Sequence, residues 1–316
     1  NNGTAALHVA LHLVGVQEGD EVLMPTLTFV ATANTVAYCK AIPHFVDSEE
    51  KTLGIDPNKL AEYLHKIADV REGGCFNRQT GRRIKAMIPM HTFGHPVQIE
   101  QLLQICQQYQ LTLVEDAAES LGSSYQGKHT GTWGKISVLS FNGNKVVTTG
   151  GGGALLTNDE SLAKLAKHLT TTAKLPHKWE YRHDQIGFNY RLPNINAALG
   201  CAQMERLPYF VEQKRLLADR YKQEFLNIEG ILFFTEPEGA RSNYWLNVLL
   251  LDEPHASLRD PLLELTNRQK IMTRPIWTPM HQLKMFQQAP QMDLTTAESL
   301  SRRLINIPSS AILGND

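Results

Sequence analysis

The sequence of 316 residues predicts an α/β fold with a mostly parallel central sheet, followed by a smaller α+β region. One observation is that short apolar runs alternate with helical patterns through the first half of the chain, as βαβ crossovers require. Another is that Asp116 and Lys145 each follow a predicted strand. Because ligands of such sheets gather at the carboxyl ends of the strands, these two residues fall where a site is expected.

The individual elements follow from periodicity and length. The predicted strands of the sheet cover residues 21–24, 43–46, 85–90, 111–115, 135–141 and 153–157. The predicted helices of the same region cover residues 4–14, 29–39, 57–67 and 97–109. Residues 71–83 are basic and contain glycine, and we interpret them as a solvated loop between a helix and a strand.

The pattern from residue 194 to residue 228 is helical, and Pro208 predicts a break or kink in it. Residues 203–225 are predicted to form a long connecting helix. Beyond residue 230, strands at 231–234 and 245–251 alternate with a helix near 258–267. We therefore predict a large α/β domain at residues 1–210 and a small α+β domain at residues 211–316.

Composition excludes several classes of partner. Lys and Arg total 31 against 32 for Asp and Glu, a net charge of −1, so no field favours nucleic acid or an anionic membrane. No apolar run reaches the roughly 18–20 residues of a membrane span. Cys39, Cys106 and Cys201 lie among helical apolar residues and indicate core thiols in a reducing, cytoplasmic setting. His8 and His12 have metal-pair spacing without a neighbouring acidic or thiol ligand, so no metal is expected.

The most specific pattern lies at residues 139–159, LSFNGNKVVTTGGGGALLTND. Lys145 is at its centre, Ser140 precedes it by five residues and four glycines follow. Upstream, the acidic pair Glu115 and Asp116 ends a predicted apolar strand. Pyridoxal phosphate (PLP) chemistry needs an amine for a Schiff base, a carboxylate for the pyridinium nitrogen and small donors around a phosphate. The pattern therefore indicates PLP chemistry.

Three segments resemble the DegT/DnrJ/EryC1/StrS family of PLP-dependent nucleotide-sugar aminotransferases. They are VEDAAESLGSSYQGKHTGTWGKISVLSFNGNKVVTTGGGGALLTND, GTAALHVALHLVGVQEGDEVLMPTLTFVATAN and GFNYRLPNINAALGCAQMERL. The resemblance implies PLP fold type I, the aspartate aminotransferase-like fold. SFNGNK, TTGGGG, HLTTTAKLPH and IPMHTFGHP are most similar to the LegC-type branch, which aminates C4 of a nucleotide-linked 4-keto-6-deoxy-N-acetylhexosamine. Because relatives extend beyond both ends, the resemblance also implies a trimmed chain.

The resemblance implies roles for individual residues. Gly3 and Thr4 begin a predicted helix whose free N–H groups suit a phosphate, and the matching family loop holds that of PLP. The positions that match the rest of the cofactor site are Ser140 for the phosphate, Asp116 for the pyridinium nitrogen, Phe29 stacked on the ring, Glu119 beside the ring, and Lys145 as the catalytic amine. Two positions differ from the family pattern. Glu119 stands where relatives often have Gln or His, and Gly151 stands where most of them have an acidic residue.

The remaining matches concern a partner subunit and the substrate. Asn189 and its neighbours Tyr190 and Arg191 match residues that reach the cofactor phosphate or the substrate of a second subunit, which implies a homodimer with shared active sites. His281 matches a histidine near the substrate. The implied reaction moves the amino group of L-glutamate to the sugar for bacillosamine- or legionaminic-type products.

Other functions differ from this one in the residues that they require. A sugar 3- or 5-position aminotransferase would share the same pattern, as would a PLP-binding homologue without activity. Deoxygenating dehydratases of the family carry histidine at the lysine position, so Lys145 argues against them. A nicotinamide-binding Rossmann protein is excluded because no GxGxxG follows the first strand.

Overall fold

The computed structural model describes residues 1–314, which include nine α-helices. The helices are α1 (Gly3–Leu13), α2 (Val30–Tyr38), α3 (Pro57–Ile67), α4 (Ile99–Gln108), α5 (Glu160–Thr170), α6 (Asn194–Glu205), α7 (Leu207–Phe225), α8 (Arg259–Arg268) and α9 (Thr295–Arg303). Within the described part, no helix is long and apolar enough to cross a membrane.

Seventeen strands accompany these helices in residues 1–314. Those of the first half are β1 (Glu21–Pro25), β2 (Ile42–Val46), β3 (Ala68–Arg71), β4 (Gly74–Asn77), β5 (Arg83–Met87), β6 (Thr112–Asp116), β7 (Ser124–Tyr125), β8 (Lys128–His129), β9 (Ile136–Ser140) and β10 (Gly153–Leu156). Those of the second half are β11 (Lys174–Leu175), β12 (Arg182–His183), β13 (Ile231–Phe233), β14 (Ala240–Arg241), β15 (Asn247–Leu251), β16 (Arg274–Pro275) and β17 (Leu304–Ile307).

The central sheet has the order β10-β9-β6-β5-β1-β2, with β3 and β4 attached beside β5. The pairs β1–β2, β1–β5, β5–β6 and β6–β9 are parallel, whereas β10 runs antiparallel to β9. The predicted α/β fold with a mostly parallel sheet is therefore confirmed. The predicted elements of this region all occur, with bounds that shift by up to three residues.

Strand side chains alternate between two apolar layers, which explains the nearly continuous apolar runs in the sequence. On β1, Val22 and Met24 join the cluster formed with α1 and α2. Leu23 points to the other face and joins the cluster formed with α3 and α4. The sheet is thus covered on both sides, and its carboxyl edge is left for a site.

Residues 71–83 are only in part the solvated loop that their composition predicts, because residues 72–73 and 78–82 are exposed and outside strands, whereas residues 74–77 form a strand. Residues 68–77 form the hairpin β3–β4, and β4 pairs with the start of β5. The hairpin is anchored because Asn77 Nδ2 and Thr80 Oγ1 donate to the buried Glu21 carboxylate at 2.9 and 2.6 Å. Hydrogen bonds to a buried polar partner stabilise the hairpin, and the composition of the segment does not reveal that partner.

The predicted long helix at residues 203–225 is also wrong in part. Helix α6 ends at Glu205 and α7 begins at Leu207, with Pro208 in its first turn. Proline lacks an N–H and fits this position of a new helix, so the predicted break at Pro208 is confirmed. Beyond α7, β13, β15, β17 and β16 form an antiparallel sheet of four strands.

The second sheet is attached to the first half of the chain by shared apolar contacts. Val248 and Leu250 of β15 share a buried cluster with Leu27, Leu53 and Phe93. This contact places the residues before β15 next to the carboxyl edge of the central sheet.

The thiols do not all lie in the core. All four cysteines are free, with Cys75 and Cys106 buried and Cys39 half-buried. Cys201 is exposed on α6, so its predicted core position is wrong. Residues 315–316 of the predicted small domain lie outside the described residues.

Candidate active site

A cavity of about 330 Å³ lies at the carboxyl edge of the central sheet. It is lined by side chains from the ends of β6 and β9, the start of α1 and the loop after β9, together with two tryptophans from the second half of the chain. Seven predicted site residues meet there, namely Gly3, Thr4, Phe29, Asp116, Glu119, Ser140 and Lys145.

The start of α1 and the end of β9 form one wall. Asn2 caps the helix, and its side-chain oxygen accepts from the N–H of Ala5 at 2.8 Å. A Cβ on Gly3 would lie 2.9 Å from Ser140 Cβ, so only glycine lets the helix start approach the strand this closely. The first N–H groups of a helix have no intrahelical partner, and together with the Ser140 hydroxyl they form a cradle for an anion.

A buried carboxylate lies on the floor of the cavity at the end of β6. Asp116 Oδ2 accepts from Thr32 Oγ1 at 3.0 Å, and its Oδ1 accepts from the N–H of Ala118 at 3.2 Å. Burial raises the pKa of Asp116, and these two bonds and the charge of Lys145 oppose that effect. A cationic group beside Asp116 would offset the cost of keeping this carboxylate ionised.

The adjacent acid, Glu115, has a different task. Its carboxylate accepts from His91 Nε2 at 2.9 Å, from Ser137 Oγ at 3.0 Å and from the N–H groups of the turn at residues 131–134. These bonds hold the pKa of Glu115 at about 2 against the effect of burial. Glu115 thus secures the turn before β9, and Asp116 is the acid that faces the cavity.

Lys145 enters the cavity from the loop that follows β9. Its Nζ lies 3.5 Å from Glu119 Oε1 and 3.8 Å from the centre of the Trp245 ring. The indole N–H of Trp245 donates to the backbone oxygen of Asn144 at 2.7 Å, which fixes the ring beside the lysine loop. The amine therefore sits between one carboxyl group and one aromatic face.

Aromatic rings surround the open side of the cavity. Phe29 is 48% exposed, and its ring centre lies 6.4 Å from that of Trp277. Trp277 in turn lies 5.1 Å from the buried ring of Phe93. A flat ligand could lie against the free face of Phe29.

Four predicted site residues lie outside this cavity. His281 has both ring nitrogens engaged, with Thr26 Oγ1 at 2.7 Å and Glu298 Oε1 at 3.0 Å. Asn189 and Arg191 are exposed, and Tyr190 stacks on Phe188 with ring centres 5.1 Å apart. Within one chain, the structure does not bring these residues to Lys145.

Several residues that line the cavity were not predicted from the sequence, and six of them have side chains that matter for the site. They are Thr32, Met90, Asn142, Asn144, Trp245 and Trp277. Asn142 and Asn144 precede Lys145 in SFNGNK and could have been inferred from that motif. Trp245 and Trp277 carry no local signal, because only the docking of the second sheet brings them to the cavity.

The histidine pair does not form a metal site. His8 packs edge-on against Phe188 and Tyr38, with ring centres 5.0 and 5.8 Å away. Across residues 1–314, no group of three or more His, Cys, Asp or Glu side chains is placed to hold a metal ion.

The residues of the cavity fit PLP. The cradle of α1 and Ser140 suits a phosphate, and the Asp116 carboxylate suits a ring nitrogen that carries a proton. Phe29 offers a face for the ring, and Lys145 supplies an amine. A helix start, a buried acid and a lysine around one cavity at the edge of a parallel sheet define a PLP-dependent enzyme of fold type I.

Comparisons with known proteins agree with this class. The model of the DegT/DnrJ/EryC1/StrS aminotransferase family matches residues 1–316. GDP-perosamine synthase of Escherichia coli O157:H7 is 37% identical over 318 residues, covering 100% of this chain and 81% of that protein. The dTDP-4-dehydro-2,3,6-trideoxy-D-glucose 4-aminotransferase of Saccharopolyspora spinosa is 29% identical over 321 residues, covering 98% and 78%. The crystal structure of the aminotransferase TlmJ from Streptoalloteichus hindustanus gives a TM-score of 0.88 at 29% identity, covering 99% of this chain and 80% of that one.

The chain therefore belongs to the DegT/DnrJ/EryC1/StrS aminotransferase family. It is a PLP-dependent sugar aminotransferase with the fold type that its solved relatives share. The predicted family, fold class and cofactor are thereby confirmed.

Proposed function

We propose that this enzyme transfers the amino group of L-glutamate to C4 of a nucleotide-linked 4-keto-6-deoxy-N-acetylhexosamine, in the synthesis of bacillosamine- or legionaminic-type sugars for polysaccharides. The observation that carries the transaminase proposal is the Lys145 amine beside Glu119 in a cavity that also holds Asp116. The name of the 29% identical relative, a 4-aminotransferase of a nucleotide sugar, supports position C4. The N-acetyl group rests on the resemblance of SFNGNK, TTGGGG, HLTTTAKLPH and IPMHTFGHP to the LegC-type branch.

The proposed roles of the site residues follow from their geometry. Bound PLP supplies an electron-accepting ring that stabilises negative charge at the α-carbon of an amino acid. The start of α1 and Ser140 bind its phosphate, Phe29 lies along the ring, and Asp116 keeps the ring nitrogen protonated. These residues would hold the cofactor at its phosphate by hydrogen bonds and at its ring nitrogen by charge.

Lys145 is the group that moves protons in this proposal. Its Nζ removes the proton from Cα of L-glutamate in the half-reaction that releases 2-oxoglutarate. In the second half-reaction Lys145 would deliver a proton to C4 of the sugar, where the nitrogen that L-glutamate left on the cofactor would replace the keto oxygen, which leaves as water. Only the neutral amine can act as a base, so whatever holds the lysine proton governs the rate.

A second candidate substrate is a GDP-linked 4-keto-6-deoxyhexose without the N-acetyl group. It is favoured by the 37% identity to GDP-perosamine synthase over the whole chain. The two candidates differ at C2 of the sugar and in the nucleotide, whereas the chemistry at C4 is the same.

A substrate panel tests the proposal. The PLP-loaded chain is incubated with L-glutamate and, in parallel, with UDP-linked 4-keto-6-deoxy-N-acetylhexosamines and GDP-linked 4-keto-6-deoxyhexoses, and the products are weighed by mass spectrometry. We expect an amino sugar from a UDP-linked N-acetyl substrate and 2-oxoglutarate in equal amount. Turnover of the GDP-linked sugars alone would favour the second candidate, and no amination of any member would contradict both. Lys145→Ala protein is the matched blank.

A homodimer with shared sites is part of the proposal. Helix α6 has no buried residue, and Ile195 on it is 81% exposed. On the segment before it, Trp179, Tyr181 and Ile186 are 69%, 81% and 85% exposed. Large apolar side chains in such number support an interface. A second copy would cover them, and it would bring Asn189, Tyr190 and Arg191 to the neighbouring cavity.

Complementation between two inactive variants tests the shared site. Lys145→Ala and Asn189→Ala chains are each purified, shown to be inactive, and then mixed under conditions that exchange subunits. A heterodimer contains one site with neither lesion, so about a quarter to half of the activity of an equal amount of wild-type dimer should return. Proven heterodimers without any recovered activity would mean that each site is built from one chain.

Two further assignments belong to this proposal. A cytoplasmic location is supported by the four free thiols, which suit a reducing compartment. A division into domains at residues 1–210 and 211–316 is supported by the central sheet and the sheet β13-β15-β17-β16, which share no strand and are separated in the chain by α7.

A further inference from the structure

One carboxyl group faces the catalytic amine at close range. Glu119 Oε1 lies 3.5 Å from Lys145 Nζ, and the two side chains are 2% and 13% exposed. This contact is separate from the ring-facing role of Asp116, because Asp116 bonds to Thr32 and to the N–H of Ala118. The inference drawn from it rests on the proposed function of Lys145.

Glu119 cannot easily turn away from the lysine. Its second oxygen, Oε2, accepts from the N–H of Phe93 at 2.9 Å. Its backbone oxygen accepts from Asn243 Nδ2, also at 2.9 Å. The Phe93 N–H holds the carboxyl group and the Asn243 amide holds the backbone of Glu119, so Oε1 remains directed at Lys145.

The charges around Glu119 come from few elements. Lys145 approaches from the loop after β9, and Asp116 lies at the end of β6. Phe93 and Trp245 present a backbone N–H and an uncharged ring, and His91 is bonded to Glu115. Burial raises the pKa of Glu119 to about 7, against the opposing effect of Lys145. The carboxyl group therefore changes charge near neutral pH, while it faces the amine.

We propose that Glu119 is a positioning residue for Lys145, which holds the amine against the Trp245 ring and sets the pH at which that amine loses its proton. An ionised carboxylate at this distance favours the ammonium form, and a protonated carboxyl group removes that preference. Because the charge of Glu119 depends on pH, glutamate at this position makes the neutral fraction of Lys145 depend on pH through that charge. An uncharged glutamine could not have this effect.

Reactivity of the cofactor-free chain tests this without any turnover. Lys145 and the exposed Lys51 are acylated with trace acetic anhydride from pH 6 to pH 11, and each is quantified by mass spectrometry. In Glu119→Gln, the amide oxygen can still accept from Phe93, but the negative charge is gone. We expect the pH of half-maximal Lys145 acylation to fall by about one to two pH units, with Lys51 unchanged. An unchanged Lys145 profile in a folded variant would overturn the proposal.

Two controls keep the outcome decisive. Thr32→Val removes a bond to Asp116 but leaves the carboxyl group of Glu119 in place, so its Lys145 profile should match the wild type. If Glu119→Gln fails to fold, Glu119→Asp replaces it. Its shorter side chain moves the carboxylate away from Lys145, so a smaller shift in the same direction is expected, and no shift would refute the proposal.

A second measurement uses the loaded enzyme. The rate of the glutamate half-reaction is followed from pH 5 to pH 9 by absorbance of the cofactor. In Glu119→Gln the acid limb of the profile should move to lower pH by a similar amount. A loss of rate by the same factor at every pH would indicate a merely structural role. Because acylation does not need activity, its outcome is independent of whether the sugar substrate is the proposed one.

Discussion

Two lysines contact Trp245, and their surroundings differ. Lys145 places its Nζ 3.8 Å from the centre of the indole ring, beside the carboxyl group of Glu119 and on the wall of a cavity. Lys214 of α7 is 6% exposed, and its Nζ donates to the backbone oxygens of Tyr244, Trp245 and Ser309 at 3.4, 3.0 and 2.5 Å.

The comparison shows that burial alone does not make an amine functional. All three N–H donors of Lys214 bond to carbonyl oxygens, so the amine has no free donor for a ligand. Lys145 has a soft aromatic contact and one carboxyl partner, and its third side is open to the cavity. Lys214 therefore stabilises the fold around Trp245, and Lys145 is available for chemistry on the other side of the same residue.

The largest expected effect separates the two lysines by activity. Lys145→Ala should reduce amination to background, because the same side chain binds the cofactor and moves the proton. The variant should still fold and should still bind PLP through the α1 cradle. Turnover is measured with the sugar that proves active in the panel. Wild-type amination by Lys145→Ala would mean that another group moves the proton, and the central assignment would fail.

A smaller loss is expected at the floor of the cavity. Asp116→Ala should lower turnover by about 10²–10³-fold, by analogy with the loss of one preorganised electrostatic contact. The fold should survive, because the strand end remains bonded through its backbone. Single-turnover kinetics with L-glutamate measures the effect, and Thr32→Val, which removes only one bond to the carboxylate, is the milder control. An unchanged rate would mean that another acidic residue, and not Asp116, pairs with the ring nitrogen of the cofactor.

The smallest expected effect concerns the stability that Lys214 provides. Burial lowers the pKa of Lys214 to about 8, whereas an unfolded lysine titrates near 10.4. Between these values the unfolded chain binds more protons than the folded one, so this group makes the folded state more stable as pH rises. The difference in unfolding free energy, wild type minus Lys214→Met, should become more positive by about 2 kcal/mol from pH 7 to pH 9.5.

Urea unfolding at the two pH values measures that difference, with the exposed Lys51→Met as the matched control. The Lys51 variant should track the wild type at both pH values. If the difference between wild type and Lys214→Met stays constant with pH, the amine keeps its proton in the folded state. Burial would then not lower the pKa of Lys214, and this part of the comparison between the two lysines would be wrong.

Much of the fold could be predicted from sequence because the central sheet is buried on both faces. All five residues of β1 and all five of β9 are buried, and α3 begins and ends at the predicted residues 57 and 67. The hairpin at residues 68–77 could not be foreseen, because its order depends on bonds to the buried Glu21 carboxylate. The composition of this segment shows its charge and its glycines. It does not show that Asn77 and Thr80 donate hydrogen bonds to Glu21, which is distant in the sequence.

The same distinction holds at the site. Local motifs around Lys145, Asp116 and Gly3 led to residues that share one cavity. Trp245 and Trp277 were missed because their place depends on how the second sheet docks, which no local pattern encodes. Asn189, Tyr190 and Arg191 remain predictions about a second copy, since one chain does not bring them to the cavity.

The hydrogen bond between the Trp245 indole and the backbone oxygen of Asn144 joins residues 101 positions apart. During synthesis, a nascent chain that ends before residue 245 already contains the lysine loop but lacks its aromatic wall. Long-range contacts of this kind close late, because a large loop must be ordered first. The parts of the site therefore form in a fixed order. The central sheet and the lysine loop fold first, and the amine reaches its final neighbours only when the second half of the chain has docked.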